Sequence, residues 1–133
     1  RAALDAHVPV VSLPGPSAVL VALTVSGLPV NRFVFEGFLP RKKGRKKLIE
    51  ELAQEKRTIV LFESPHRIVK TLNELYQVMG ERKAVLAREL TKIHEEVIRG
   101  TLGALATKTE EQKLKGEITL VISGAPKTRN RGN

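Results

Sequence analysis

The sequence contains no cysteine and no tryptophan, and aromatic residues make up only 4% of its 133 residues. The absence of cysteine excludes disulfides, thiolate metal ligands and a cysteine nucleophile, and it permits a reducing, cytoplasmic setting. The three histidines are widely separated, and no acidic cluster has the spacing of metal ligands, so we expect no metal site.

Long apolar runs are also missing. The longest uncharged stretch covers residues 8–31, but four prolines interrupt it, and its proline-free part has only twelve residues. Because a bilayer-spanning helix needs about 20 apolar residues, we expect no membrane helix. With 41% hydrophobic and 28% charged residues, the composition is that of one folded globular domain.

The positive charge is concentrated in two places. The chain has 23 basic and 14 acidic residues, and nine of the basic ones lie in residues 41–47 and in the last seven residues. Removing those nine leaves 14, which equals the number of acidic residues. A local basic cluster attracts polyanions, because each neutralised phosphate releases counterions. The first cluster therefore offers six candidate phosphate contacts, namely Arg41, Lys42, Lys43, Arg45, Lys46 and Lys47.

The same cluster is compatible with a solvated loop that only keeps the protein soluble. Phe35 and Phe38 lie beside it, but they look like core residues rather than surfaces on which bases stack.

Hydrophobic periodicity predicts an α/β fold with a mixed sheet flanked by helices. We predict strands over residues 32–36, 58–62, 83–88, 93–99 and 117–122, and an extended segment or short strand over 8–12. Helices are predicted from about residue 17 to Gly27, over 45–56, from a Ser64 cap to Gly80, and over 102–113. The first of these helices is apolar nearly all round, so we expect it to be covered on more than one side. Short connections favour some antiparallel pairing.

Polar residues follow the predicted strands and precede a helix. One segment comes directly after a predicted buried strand, at the position where α/β folds place their ligand-binding sites. Its residues are Glu63, Ser64, Pro65, His66 and Arg67. A second segment is a glycine turn that leads into the first long helix, and the free N–H groups at the start of that helix can bind the polar atoms of a ligand. The residues of this segment are Pro14, Gly15, Pro16, Ser17 and Ala18. Helix capping and turn formation explain both segments without a ligand.

A third polar segment covers residues 87–96. In an alternating strand, Lys92, His94 and Glu96 would share one face. Lys92 or His94 would then be a candidate base, and Glu89 could orient it. Surface ion pairs would produce the same residues.

The order and the amino-acid sequences of these segments closely resemble those of one protein family. The motifs are PGPSA (14–18), SGLP (26–29), FEGFLP (35–40), ESPHR (63–67), ARELTK with HEE (87–92 and 94–96) and GE (116–117). They are similar to those of the ribosomal RNA small-subunit methyltransferase I family, the bacterial 16S rRNA cytidine 2′-O-methyltransferases. That family is similar in fold to the tetrapyrrole methylases, the class III methyltransferases, and to diphthine synthase.

The resemblance implies a two-domain enzyme that binds S-adenosylmethionine between its domains and acts on 16S rRNA in the 30S subunit. It also implies that the full-length protein forms a homodimer. Residues 1–13 resemble a remnant of the N-terminal domain and linker, and 14–133 resemble the C-terminal domain, so the chain alone is expected to be inactive. By motif, the cofactor-binding residues would be Pro14, Gly15, Pro16, Ser17, Ala18, Glu63, Ser64, Pro65 and Leu90. The catalytic residues would be Glu89, Lys92 and His94, and His66 and Arg67 would join the six basic residues in binding RNA.

Two other hypotheses for the function remain open. A non-enzymatic RNA-binding module would need no more than this size and charge. A tetrapyrrole or diphthine methylase would share the fold but not the substrate.

Overall fold

A computed structural model describes residues 1–12, 17–89, 93 and 95–128 of the chain. Within these residues the chain forms five helices and five strands. In chain order they are α1 (Ala2–Asp5), α2 (Ala18–Ser26), β1 (Phe33–Phe38), α3 (Arg45–Leu52), β2 (Thr58–Glu63), α4 (Ile68–Met79), β3 (Lys83–Arg88), β4 (Glu96–Thr101), α5 (Leu102–Glu111) and β5 (Ile118–Ile122).

The strands form one mixed sheet in the order β1-β2-β5-β3-β4. Strands β1 and β2 are parallel, whereas β5 runs antiparallel to both β2 and β3, and β4 runs antiparallel to β3. The carboxyl ends of β1, β2 and β3 therefore meet the amino end of β5 at one edge of the sheet. The predicted mixed α/β fold is confirmed.

Helices α3, α4 and α5 cover one face of the sheet. Helix α4 presents Ile68, Leu72 and Leu75 at helical spacing, and all three are almost fully buried. They pack in a core with residues from the strands and from α5, including Ile59, Leu61, Leu86, Leu102, Leu105 and Leu120. Burial of this continuous apolar surface is the main force that holds these elements together.

Helix α2 lies on the opposite face. Its Ala22 and Leu23 pack against Val60, Val85 and Val121 of the three central strands. Leu20, on the other side of the helix, is 57% exposed. Among the described residues, α2 is covered by the sheet on one face, so the expectation that it is covered on more than one side is wrong for this part of the chain.

The start of α4 differs from the prediction. The prediction begins this helix at a Ser64 cap, but Ser64 and Pro65 lie in a turn that Arg67 closes by donating its N–H to the Ser64 carbonyl (3.1 Å). The backbone N–H of Ser64 donates to the Glu63 carboxylate, and the helix begins only at Ile68. Gly80 ends the helix as predicted.

Other boundaries moved because of tertiary contacts. Helix α3 ends at Leu52 rather than residue 56, and the carbonyl of the following Ala53 accepts a hydrogen bond from the buried Arg82 (2.6 Å). Strand β4 begins at Glu96 rather than residue 93, because its pairing with β3 sets Glu96 opposite Arg88. Residues 8–12 form no strand. Among the described residues, none of the helices has the length and apolar character needed to cross a membrane.

Candidate active site

A cleft of about 500 Å³ opens at the edge where three strands end and β5 begins. Five of the residues predicted as site residues line it, namely Ala18, Glu63, Ser64, Pro65 and Glu89. Three segments that are far apart in the sequence therefore meet in one cavity. Six further lining residues were not predicted as site residues, namely Phe38, Phe62, Gly116, Glu117, Ile118 and Thr119.

Glu63 is the buried carboxylate of the cleft wall, with only 4% of the residue exposed. Its Oε2 accepts a hydrogen bond from the Thr71 hydroxyl (2.7 Å), and its Oε1 accepts one from the Ser64 N–H (2.8 Å). Arg67 Nε forms an ion pair with Oε1 at 3.3 Å. A buried charge is tolerated only when it is paired and hydrogen-bonded, and these three partners meet that condition. Glu63 thus fixes the turn that contains Ser64 and Pro65.

Glu89 follows β3 directly and stands opposite the loop that enters β5. Its φ of 52° is unusual for a residue other than glycine, and its N–H donates to the Glu117 carbonyl at 3.1 Å. Gly116 also has a positive φ (84°), and a Cβ at this position would overlap the Glu89 side chain. The absence of a Cβ at residue 116 therefore allows the Glu89 side chain to occupy its present position in the cleft. The motif Gly116-Glu117 was the sequence signal for this wall.

Three phenylalanines form an aromatic cluster beside the cleft. The Phe62 ring lies 5.1 Å from the ring centroid of Phe35 and 5.7 Å from that of Phe38. Phe35 is 49% exposed and Phe38 is 60% exposed, so the prediction that both are core residues is wrong. They lie on β1, which is an edge strand and has a neighbour on one side only.

The basic residues that follow β1 do not all face solvent. Arg41, Lys42, Lys43, Lys46 and Lys47 are exposed. Arg45 is buried: its guanidinium donates to the Pro40 carbonyl (3.1 Å) and to Thr71 Oγ1 (2.9 Å), and it pairs with Glu74 (2.6 Å). The prediction that Arg45 contacts RNA phosphates is therefore wrong, because these internal partners occupy it. We call residues 41–47 the basic segment.

The remaining predicted site residues have different settings. Ser17 caps α2, its hydroxyl accepting from the Leu20 N–H at 3.4 Å, while His66 is exposed and Arg67 is half-buried against Glu63. The other predicted cofactor and catalytic residues lie outside the described part of the chain; they are Pro14, Gly15, Pro16, Leu90, Lys92 and His94.

Charged groups with shifted pKa values lie at the opposite end of the sheet. Hydrogen bonds from Arg57 lower the pKa of Glu55 to about 2. Burial lowers the pKa of Arg82, whose guanidinium donates to the Ala53 and Ser123 carbonyls. Glu55 and Arg82 precede strands rather than follow them, and neither residue lines the cleft.

Known proteins share the mixed α/β fold of this chain. Residues 1–106 match the family described as Tetrapyrrole (Corrin/Porphyrin) Methylases, and the chain belongs to this family. The solved structure of a cobalt precorrin-4 methyltransferase, a cobalamin biosynthetic enzyme, superposes with a TM-score of 0.67 at 18% identity, over 90% of this chain and 54% of that one. Uroporphyrin-III C-methyl transferase from Thermus thermophilus, complexed with S-adenyl homocysteine, gives a TM-score of 0.60 at 19% identity, over 91% and 55%.

The relatives found by sequence carry a more specific name than the family model does. The chain is 47% identical over 112 residues to "Ribosomal RNA small subunit methyltransferase I" of Thermotoga maritima, covering 84% of this chain and 50% of the relative. It is 53% identical over 126 residues to the protein of the same name from Mycobacterium tuberculosis, covering 93% and 44%. The resemblance to this family stated from the motifs is confirmed. The chain spans about half the length of these relatives.

Proposed function

We propose that this chain forms the C-terminal half of an S-adenosylmethionine-dependent methyltransferase that methylates the ribose 2′-oxygen of a cytidine in 16S rRNA. The observation that carries the proposal is the cleft, which gathers Glu63, Ser64, Pro65 and Glu89 from two motif segments. The basic segment begins three residues after Phe38, which also lines the cleft. The names of the sequence relatives support the choice of rRNA over a tetrapyrrole or diphthine.

The cleft residues fit S-adenosylmethionine chemically. Phe38 and Phe62 offer aromatic surface of the kind that an adenine ring packs against. Glu89 and Glu117 offer carboxylate oxygens, which accept hydrogen bonds from ribose hydroxyls or from an ammonium group. When bound, the cofactor would supply the methyl group. Residues 1–13 would belong to the end of the preceding domain and its linker, and that domain would close the other side of the cleft.

The acceptor hydroxyl needs help from the protein, because a 2′-hydroxyl is a poor nucleophile and requires a base and close placement. Glu89 lines the cleft, and Lys92 and His94 follow it in the same motif. Alanine at each position of the full-length enzyme tests this assignment. Replacing the true base should lower kcat by about 10²- to 10⁴-fold. Unchanged methyl transfer in all three variants would exclude them as a group.

The exposed cations of the basic segment would hold rRNA phosphates without reading sequence. Reversing the charge at Arg41, Lys42 and Lys43 should weaken binding to 30S subunits and reduce the slope of log affinity against log salt by about one per lost phosphate contact. Lys108→Glu is the control, because this exposed lysine lies on α5, outside the segment. A salt slope equal to that of the wild-type protein would refute the role of the segment.

The function itself is tested by labelled-methyl transfer from S-adenosylmethionine to unmodified 30S subunits. We expect the full-length protein, a cytoplasmic homodimer, to produce labelled 2′-O-methylcytidine, and the chain alone to produce none. Absence of transfer by the full-length protein, with 30S binding retained, would instead favour a non-enzymatic RNA-binding module.

A further inference from the structure

A buried series of polar contacts joins the basic segment to the wall of the cleft. At the segment end, Arg45 donates through Nη1 to the Pro40 carbonyl at 3.1 Å, and Pro40 directly precedes the exposed cations. Through Nη2, Arg45 donates to Thr71 Oγ1 at 2.9 Å. The Thr71 hydroxyl donates in turn to Glu63 Oε2 at 2.7 Å. The Thr71 hydroxyl therefore bonds both Arg45 and Glu63.

The cleft end of this series is equally well held. Glu63 Oε1 accepts from the Ser64 N–H at 2.8 Å, and Ser64 lines the cleft. Arg45 is 8% exposed, Thr71 is 1% exposed and Glu63 is 4% exposed, so water does not compete for these contacts. In such a setting each polar group has few alternative partners, and the geometry of the series is strongly determined.

The chemistry of Arg45 suits this role. A guanidinium presents several donors in a rigid planar fork, so it can bond Pro40, Thr71 and Glu74 at once. A lysine ammonium at this position would keep the charge beside Glu74 but would lack the fork. Arg45 was one of six similar cations in the sequence, and burial separates it from the other five.

We propose that Arg45 and Thr71 are positioning residues, which hold the basic segment and the Glu63 wall in one fixed arrangement so that bound RNA meets the cleft in register. This inference rests on the proposed function, because it assumes that the segment binds RNA and that the cleft holds the methyl donor. Methyl transfer depends steeply on how the reacting atoms are placed, and a misplacement of 1 Å can cost about 10²-fold in rate. A loosened connection should therefore lower kcat while the exposed cations still bind 30S subunits.

Thr71→Val in the full-length enzyme is the test, since it keeps the shape of the side chain and removes only the bridging hydroxyl. We expect kcat for methyl transfer to fall by at least about tenfold, with the Kd for 30S subunits unchanged. Thr71→Ser restores a hydroxyl and should recover kcat. Thr109→Val is the matched control: Thr109 is also buried in a helix (4% exposed), but its hydroxyl donates to the Ala106 carbonyl of its own helix.

The outcomes separate this inference from the proposed function. No transfer by the wild-type enzyme would refute the proposed function and the inference with it. Full transfer by the wild type with an unchanged kcat for Thr71→Val, or a fall shared equally by Thr109→Val, would refute the positioning role alone. If Thr71→Val does not fold, Arg45→Lys is the second test. A lowered kcat with unchanged affinity for 30S subunits would support the positioning role, and a wild-type kcat would refute it.

Discussion

Replacing Gly116 with alanine should damage the cleft by two separate effects. The first is a backbone effect, because Gly116 has a φ of +84°, a conformation that costs residues with a Cβ about 1–2 kcal/mol. The second is steric, because the new methyl group would overlap the Glu89 side chain. The Glu89 side chain would have to move from its present position in the cleft.

The matched control for the first effect is Gly27→Ala. Gly27 also has a positive φ (74°), but a Cβ there would meet nothing within 4 Å. It ends α2, whereas Ala18 at the start of that helix lines the cleft. Both variants should therefore lose about 1–2 kcal/mol of unfolding free energy in denaturant titrations.

The two variants should differ in ligand affinity. The proposed function assigns Glu89 a hydrogen bond to the bound cofactor. A hydrogen bond to a charged group contributes about 1.5–3 kcal/mol, so on that proposal displacement of the Glu89 carboxylate should weaken binding of S-adenosylhomocysteine by about 10- to 100-fold. Gly27→Ala should leave the Kd unchanged. Isothermal titration of the full-length enzyme measures both values.

A double-mutant cycle decides whether Gly116 acts through Glu89. In an enzyme that already carries Glu89→Ala, the further change Gly116→Ala should cost no additional affinity, because the side chain it displaces is gone. Equal Kd values for Gly116→Ala and the wild type would refute the reasoning. So would additive losses in the double variant.

Two further predictions concern the stability of the fold. Leu72 in α4 is completely buried, and Leu72→Ala should lower the free energy of unfolding by about 2–5 kcal/mol in denaturant titrations. Val78 on the same helix is 43% exposed, and Val78→Ala should change the free energy of unfolding little. Similar losses for the two variants would contradict the assigned core. For Glu55, the folded-state pKa of about 2 lies below the usual value of 4.5, so its pairing with Arg57 stabilises the folded state above about pH 4.5 and this contribution is lost as the pH falls toward 2. The difference in Tm between the wild type and Glu55→Gln should accordingly shrink over that interval, and a constant difference would argue against the pair.

Helix α4 illustrates where local reasoning succeeded and where it failed. Hydrophobic periodicity and the final Gly80 predicted the helix and its end correctly. Ser64-Pro65 is a strong local start signal, yet the helix begins three residues after Pro65. The buried Glu63 carboxylate accepts the Ser64 N–H, and such a contact depends on the tertiary setting of Glu63 rather than on local preference.

The family was accessible from the sequence because its motifs are local strings in a fixed order, and the α/β class was accessible because hydrophobic periodicity is local too. The location of the positive charge was likewise set by the sequence alone. The tertiary structure decided which cations reach solvent, since the contacts that bury Arg45 include Thr71 and Glu74, 26 and 29 residues away. It also decided which residues form the cleft: the strand order β1-β2-β5-β3-β4 sets Gly116 beside Glu89. Such pairings join residues far apart in the chain, and they are determined by the packing of the whole sheet.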